Sequence, residues 1–368
     1  MEGTKRKRSL TLPQNKSGLF RLIAAVVVFA LLFWRVGAVA TVSQFGADTW
    51  LRLAVSGLIL GGMYALIAIG YTLVYGILFM INFAHGEVMM IGAFGGYFIF
   101  EAFNAIPVTS ADGTTLSLLN SYPILAVFLA FLVGMSIAAL AGFLLEKIAY
   151  RPLRGAPRLV PLISAIGASI FLQNAGQLLF GPQRREYINP DLLTRGTGWE
   201  IPVGESSVML TYTGVFSLVL SAILMIGLFV LVQRTKLGKA MRAVAQDKST
   251  AALMGVDVDK VISQTFVISG LLAGAAGVMW GIHNQLINYF TGFLPGIKAF
   301  TAAVLGGIGN IPGAMIGGLF LGIVESVGPA ALGIDFQLKD VIAFSILILV
   351  LIFRPSGILG EALAEEKV

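Results

Sequence analysis

Long apolar runs separated by short polar breaks set the pattern of this chain. They lie at about Leu19–Ala40, Leu53–Ile81, Val88–Phe103, Pro123–Leu145, Leu159–Phe180, Tyr212–Val232 and Val261–Ile287. Pro295 to Val327 continues the pattern but is interrupted by "GGIGNIPG", Gly306–Gly313, and a last run covers Val341–Phe353. A helix needs about 20 apolar residues to cross the hydrocarbon core of a bilayer. The pattern therefore predicts an all-α, polytopic membrane protein with about ten membrane segments, at least one of them too short for a full crossing. Asn310 and Pro312 inside a Gly cluster oppose a continuous helix. A broken helix is tolerated in a membrane where protein or a water-filled cavity surrounds it. Gly306, Gly309, Asn310 and Gly313 are thus candidates for the transport path.

The polar breaks predict orientation, because short cytoplasmic loops are enriched in Lys and Arg. Lys5–Arg8 precede the first run, and its length and Arg35 favour a retained span over a cleaved signal. Lys147, Arg151, Arg154 and Arg158 follow the fourth run. Arg234, Lys236, Lys239, Arg242 and Lys248 follow the sixth. Both loops fall on the side of the N-terminus if every intervening run crosses. Both termini are then expected in the cytoplasm, and Asn104–Tyr122 and Gly181–Ser207 outside.

Composition agrees with lipid as the main solvent. Of 368 residues, 57% are hydrophobic and 12% charged, and the mean hydropathy is +0.88. Soluble domains carry about twice that share of charge. The net charge of +6 follows from the inside loops and needs no nucleic acid. With no Cys, disulfides, thiolate nucleophiles and Cys-based metal sites are excluded. The 44 Gly suit close helix packing, and small residues recur at four-residue spacing at Gly57/Gly61, Gly92/Gly96, Gly270/Gly274, Gly277/Gly281 and Gly309/Gly313/Gly317. The stretches "GLILGGMYAL" and "GLLAGAAGVM" open segments two to five and seven to ten, a weak signal of a diverged internal repeat.

Few polar residues interrupt the spans. "INFAHGEVMM" places Asn82, His85 and Glu87 between two apolar runs. A helical zinc motif needs two His at i, i+4 with a neighbouring Glu. Here His85 and Glu87 stand two apart and the other histidine is His283. There is no nucleophile elbow and no phosphate-binding G-x-x-x-x-G-K-[ST]. A metal centre, an intramembrane enzyme using His85 and Glu87, and ATP hydrolysis by this chain are all disfavoured. A polar break linking an antiparallel helix pair fits better, as a capped turn at the interface or a patch facing the pore. Lys298 and Glu325 lie deeper in apolar sequence, where a charge must pair, face a cavity or snorkel. Gly238–Val261 interleaves Met241, Val244, Ala245, Ala251, Ala252 and Met254 with charges, with a turn at Gly255. It reads as a basic inside loop or as an amphipathic helix that docks a cytoplasmic motor.

Three stretches carry a resemblance. "YALIAIGYTLVYGILFMINFAHGEVMMIGAF", "YRPLRGAPRLVPLISAIGASIFLQN" and "KAFTAAVLGGIGNIPGAMIGGLFLGIVE" closely resemble the LivH-type permease of bacterial branched-chain amino acid ABC importers. The likeness covers most of Leu51–Gly360. It implies a permease domain over residues 51–360, an N-terminal extension with an added span over 1–50, and a cytoplasmic tail over 361–368. It implies an inner-membrane subunit that is not an enzyme and needs no cofactor. Its partners would be a second homologous permease, two ATPase subunits, and a periplasmic binding protein delivering leucine, isoleucine or valine. Urea or an amide is the alternative solute, since relatives share the architecture. The ATPase-coupling helix of the family matches Gly238–Gly255. Its usual motif starts Glu-Ala-Ala with a Gly four residues after the last Ala. Here Ser249, Thr250, Ala251 and Gly255 stand at those positions.

Overall fold

The computed structural model describes residues 34–35, 37–39, 45–109, 115–157, 159–194, 196–204, 206–354 and 356–360. The expected span Leu19–Ala40 falls almost wholly outside them, as does the tail from residue 361. Among the described residues, eight helical segments are long and apolar enough to cross a membrane. A ninth, Phe293–Gly306, is shorter. The chain is a multi-pass membrane protein.

Apart from a single turn at Leu118–Ser121, the described α-helices are α1 (Ala47–Leu78), α2 (His85–Ala105), α3 (Pro123–Leu145), α4 (Leu159–Phe180), α5 (Tyr212–Arg234), α6 (Lys236–Gln246), α7 (Lys248–Leu253), α8 (Val258–Asn284), α9 (Phe293–Gly306), α10 (Ile311–Leu332) and α11 (Lys339–Phe353). The apolar runs give α3 and α4 to the residue. α3 continues through a π-turn at Glu146–Tyr150 and a 3-10 turn at Arg151–Leu153. The membrane part is all-helical as expected, and among the described residues three short two-stranded antiparallel ribbons join the helices. One of them pairs Arg185–Glu186 with Leu286–Ile287.

Glycine decides where the helices cross. A Cβ on Gly61 would meet Leu319 Cα of α10 at 2.8 Å, and one on Gly57 would meet Ile323 Cα at 2.7 Å. α1 and α10 therefore touch backbone to backbone. α2, α3 and α8 meet the same way: a Cβ on Gly92 would lie 2.5 Å from Gly274 Cα, and one on Gly95 2.9 Å from Gly134 Cα. Lipid gives helices no hydrophobic drive to associate, so van der Waals contact at such crossings supplies much of the packing. Gly96 and Gly281 instead leave room for Tyr187, a buried ring delivered by the loop after α4.

The backbone turns sharply at two helix ends. α1 ends on Phe79 and α8 on Gln285, the two non-glycine residues with positive φ among those described, at 55° and 59°. After each, the chain turns back into the bundle and starts a new helix there, α2 in the first half and α9 in the second. The halves run in opposite senses. α8 starts beside the Arg-rich loop, where Asp259 pairs with Arg154. α1 finishes at that end, since Asn82 just beyond it is bound by Tyr150 of the π-turn.

Candidate functional site

The polar break after α1 is shorter and deeper than its sequence suggests. α2 starts at His85, so His85 and Glu87 occupy its first turn and not the link. Both are 1% exposed. The interfacial capped turn is replaced by a helix start inside the protein. The reason is steric: Gly70 of α1 and the small Ser269 of α8 leave a space that the imidazole fills. A Cβ on Gly70 would strike the His85 ring. Ser269 Oγ lies 3.4 Å from His85 Nδ1 and donates to the Gly70 carbonyl at 3.1 Å. Tyr71 stands edge-on to the imidazole with ring centroids 4.9 Å apart.

The start of α9 meets the start of α2 at this point. A Cβ on Gly292 would strike the Gly86 carbonyl, a Cβ on Gly86 the Gly292 carbonyl, and one on Gly296 would lie 2.9 Å from Gly86 Cα. Residues 79–84 enter from the Arg-rich end of the bundle. Residues 286–292 enter from the other end, beside the ribbon with Arg185–Glu186. The two N-termini abut, and the helices diverge to opposite ends. Their dipoles bring partial positive charge to one place within the bundle. Glu87, in the first turn of α2, adds a carboxylate whose sign suits that dipole. Its Oε1 accepts from Gln173 Nε2 at 2.8 Å and Ser169 Oγ at 3.3 Å, both on α4. Its Oε2 is buried with no hydrogen-bond partner.

Lys298 and Glu325 form a second cluster. Lys298 Nζ is 2.7 Å from Glu325 Oε1 and 2.5 Å from Asp340 Oδ1. Tyr64 donates to Glu325 Oε2 at 3.0 Å, and Lys339 Nζ is 3.5 Å from Oε1. Two cations and two carboxylates thus balance at the junction of α1, α9, α10 and α11. The snorkelling alternative for Lys298 gives way to pairing.

The Gly306–Gly313 break is a third place. It lies at the end of α9, where Ile358 and Leu359 donate backbone hydrogen bonds to Leu305 and Gly306. Asn310 caps α10 through Gly313 N at 3.1 Å and donates to the Leu359 carbonyl at 2.8 Å. A Cβ on Gly313 would meet the Gly306 carbonyl. Gly309 has open space but a φ of +91°, so its requirement is conformational rather than steric. The predicted pore residues therefore fall in three places.

The Arg-rich end is organised around residues that sequence reasoning read only as topology markers or missed. Glu146 is fully buried. It pairs with Arg154, lies 3.3 Å from Arg151 Nε and accepts from Ser263 Oγ at 2.7 Å. Tyr150 donates to Asn82 Oδ1 at 2.6 Å. The usable signal was a lone acid at the end of the 23-residue run of α3. α6 and α7 flank this cluster. Thr235 caps α6 and Asp247 caps α7. Hydrogen bonds from Ser249 and Thr250 hold the Asp247 carboxyl well below the usual range, so the cap is ionised at neutral pH. Partial burial and then the Arg154 charge push the Lys248 ammonium down. Met241, Val244 and Ala251 are buried against the chain's own helices. Ala252, Leu253, Met254 and Gly255 face outward, with Leu253 87% and Met254 80% exposed.

No group of three His, Asp or Glu side chains suited to a metal occurs among the described residues. The comparisons with known proteins point one way. The family described as branched-chain amino acid transport system / permease component matches residues 53–351. A high-affinity branched-chain amino acid transport system permease protein, BraD of Pseudomonas aeruginosa, is 47% identical over 86% of this chain and 98% of its own length. LivH of Escherichia coli K12 is 43% identical over 86% and 97%. A probable LivH of the archaeon Methanocaldococcus jannaschii is 29% identical over 82% and 90%. No solved structure matches significantly. Nearly the whole length of these relatives is thus matched, and the chain belongs to the permease-component family of branched-chain amino acid transport systems.

Proposed function

We propose that this chain is the translocation subunit through which an ABC importer carries leucine, isoleucine or valine into a bacterial cytoplasm. The observation that carries the reading is the 47% identity to a branched-chain amino acid permease over 98% of that protein. The bundle supports the reading with two helices that start back to back in its interior, at Gly86 and Gly292. Half-helix N-termini within a membrane commonly face anionic groups of a solute in secondary transporters, and an amino acid carries a carboxylate. In this reading Asn82, His85 and Glu87 stand at the path. Gly306, Gly309, Asn310 and Gly313 form its cytoplasmic closure, and the Lys298–Glu325 pair fixes α9.

The Arg-rich end is the cytoplasmic face, since basic residues concentrate in inside loops. Each of two ATPase subunits docks under a permease at α7. A second homologous permease completes the membrane part, and a periplasmic binding protein delivers the solute. The residues before 51 form an added segment ahead of the permease domain, and the tail from 361 lies in the cytoplasm. ATP hydrolysis belongs to the partner subunits. The test is uptake by cells with and without the gene for this chain. Deletion is expected to abolish high-affinity uptake of labelled leucine, isoleucine and valine, and re-expression to restore it. Unchanged uptake of all three with loss of urea or amide uptake would sink the branched-chain reading and leave the permease.

A further inference from the structure

Three acidic side chains are buried among the described residues, those of Glu87, Glu146 and Glu325. Two of them are paired with cations. Glu146 has Arg151 and Arg154, and Glu325 has Lys298 and Lys339. Glu87 forms no ion pair with any described basic residue. An acid within a membrane segment usually pairs, faces a cavity or marks the route of a solute. The helix dipole favours an acid in the first turn of α2, but by less than burial of an uncompensated charge costs.

Tying α2 to α4 does not account for the charge either. Ser169 and Gln173 stand four positions apart on α4 and donate to the same oxygen, Oε1. An uncharged Gln at position 87 would offer them that acceptor equally well. What it would lack is Oε2, a buried carboxylate oxygen with no hydrogen-bond partner. A bare acceptor in a buried place carries its full desolvation cost unless something arrives to fill it. A metal ion would need several donors, and no group of three His, Asp or Glu suited to one occurs among the described residues. An ammonium group needs a single carboxylate for its charge and makes a strong, short hydrogen bond to it.

We infer that Glu87 receives the α-ammonium group of the amino acid through Oε2 as the solute crosses the membrane. The inference rests on the importer reading above and adds to it a residue that recognises the solute inside the bundle. Oε1 stays bound to α4, which holds the carboxylate in place, and Oε2 accepts an N–H from the solute. The abutting helix starts suit the solute's carboxylate, and Glu87 suits the opposite charge one carbon away. The site then favours α-amino acids over neutral solutes such as urea or an amide.

Glu87→Gln and Glu87→Asp, each in the full transporter, separate charge from packing. Gln keeps the volume and the acceptor for Ser169 and Gln173, whereas Asp keeps the charge and shortens the reach. Leucine uptake at equal membrane levels is expected to fall roughly tenfold or more in the Gln variant, the loss of one charge-assisted hydrogen bond. The Asp variant should retain more uptake than the Gln variant. The thermal stability of the Gln variant should match or exceed that of the wild type, since an unpaired buried charge is gone. Wild-type uptake by the Gln variant would overturn the inference, because a protonated carboxyl would then suffice. Lower uptake by Asp than by Gln would overturn it too, by showing that side-chain length is what matters. A binding measurement covers the same ground without transport. The purified transporter, free of binding protein, is heated with isoamylamine, which keeps the ammonium of leucine and lacks its carboxylate, or with sodium chloride at equal ionic strength. The amine should raise the melting temperature above the salt control in the wild type and not in the Gln variant. No amine-specific rise in the wild type, or an equal rise in both, would overturn the inference. These failures would leave the importer reading intact, whereas unchanged uptake of leucine, isoleucine and valine on deletion of the whole chain would remove that reading and the inference with it.

Discussion

The choice of Lys298 and Glu325 shows how a charge is kept within a membrane segment. Placing one at the bilayer centre costs at least about 2.5–3.5 kcal/mol on insertion scales. Removing one partner of a buried pair costs about 3–5 kcal/mol, because the other is left uncompensated. Lys298 serves both Glu325 and Asp340, whereas Glu325 also has Lys339 and Tyr64. Lys298→Met is therefore expected to destabilise more than Glu325→Gln. The double variant should be less destabilised than the sum of the two. Thermal unfolding of the four proteins in one detergent checks this, and strict additivity would show that the pair carries no coupling. Glu87 is a different case. One of its oxygens is bound by α4 and the other is unpartnered, which structure alone reveals because Ser169 and Gln173 lie more than eighty residues away.

At the scale of the element, α7 separates what a sequence pattern promises from what a fold exposes. The amphipathic spacing of Gly238–Gly255, which spans α6 and α7, marked Met241, Val244, Ala251, Ala252 and Gly255 as a docking face. Met241, Val244 and Ala251 are occupied by the chain's own core, and the outward apolar pair is Leu253 and Met254. A bulky residue at Ala251 would disturb this chain before it met a partner. Leu253→Asp removes apolar surface that nothing in the chain covers, so folding should be unaffected. It is expected to lower co-purification of the ATPase and solute-stimulated hydrolysis together, at normal membrane levels of the permease. Wild-type values for both would move the docking site to another loop. Leu253→Met, which keeps an apolar side chain of similar volume, should retain function.

At the scale of the whole molecule, two helix starts, one from each half of the chain, meet at Gly86 and Gly292. A methyl group at either position points at the carbonyl of the other. Gly86→Ala and Gly292→Ala are each expected to reduce uptake severely, because the two helix starts must separate. α7 lies apart from this contact, so ATPase co-purification should survive wherever the chain reaches the membrane. Normal uptake by both variants would show that the junction yields freely and does not constrain the path.

The sequence by itself determined the spans, because lipid demands about 20 apolar residues in each and the code for that is local. α3 and α4 were legible to the residue, and the short α9 was legible from the Gly-Asn-Pro break after it. The family was legible from three long stretches in order. The Lys298–Glu325 pair was only a possibility. Its 27-residue separation has no helical phase across the break between α9 and α10, so a fold was needed to close it. The surroundings of His85 and Glu87 were left open, since a polar hexapeptide between spans looks the same whether it caps a turn at the surface or re-enters the bundle. What decided between them was the space left by Gly70 and Ser269 and the arrival of Gly292 from the other half of the chain. Contacts of that kind join residues some two hundred positions apart. Local pattern carries no record of them, because backbone-to-backbone approach depends on where two glycines meet and not on where each stands in the sequence.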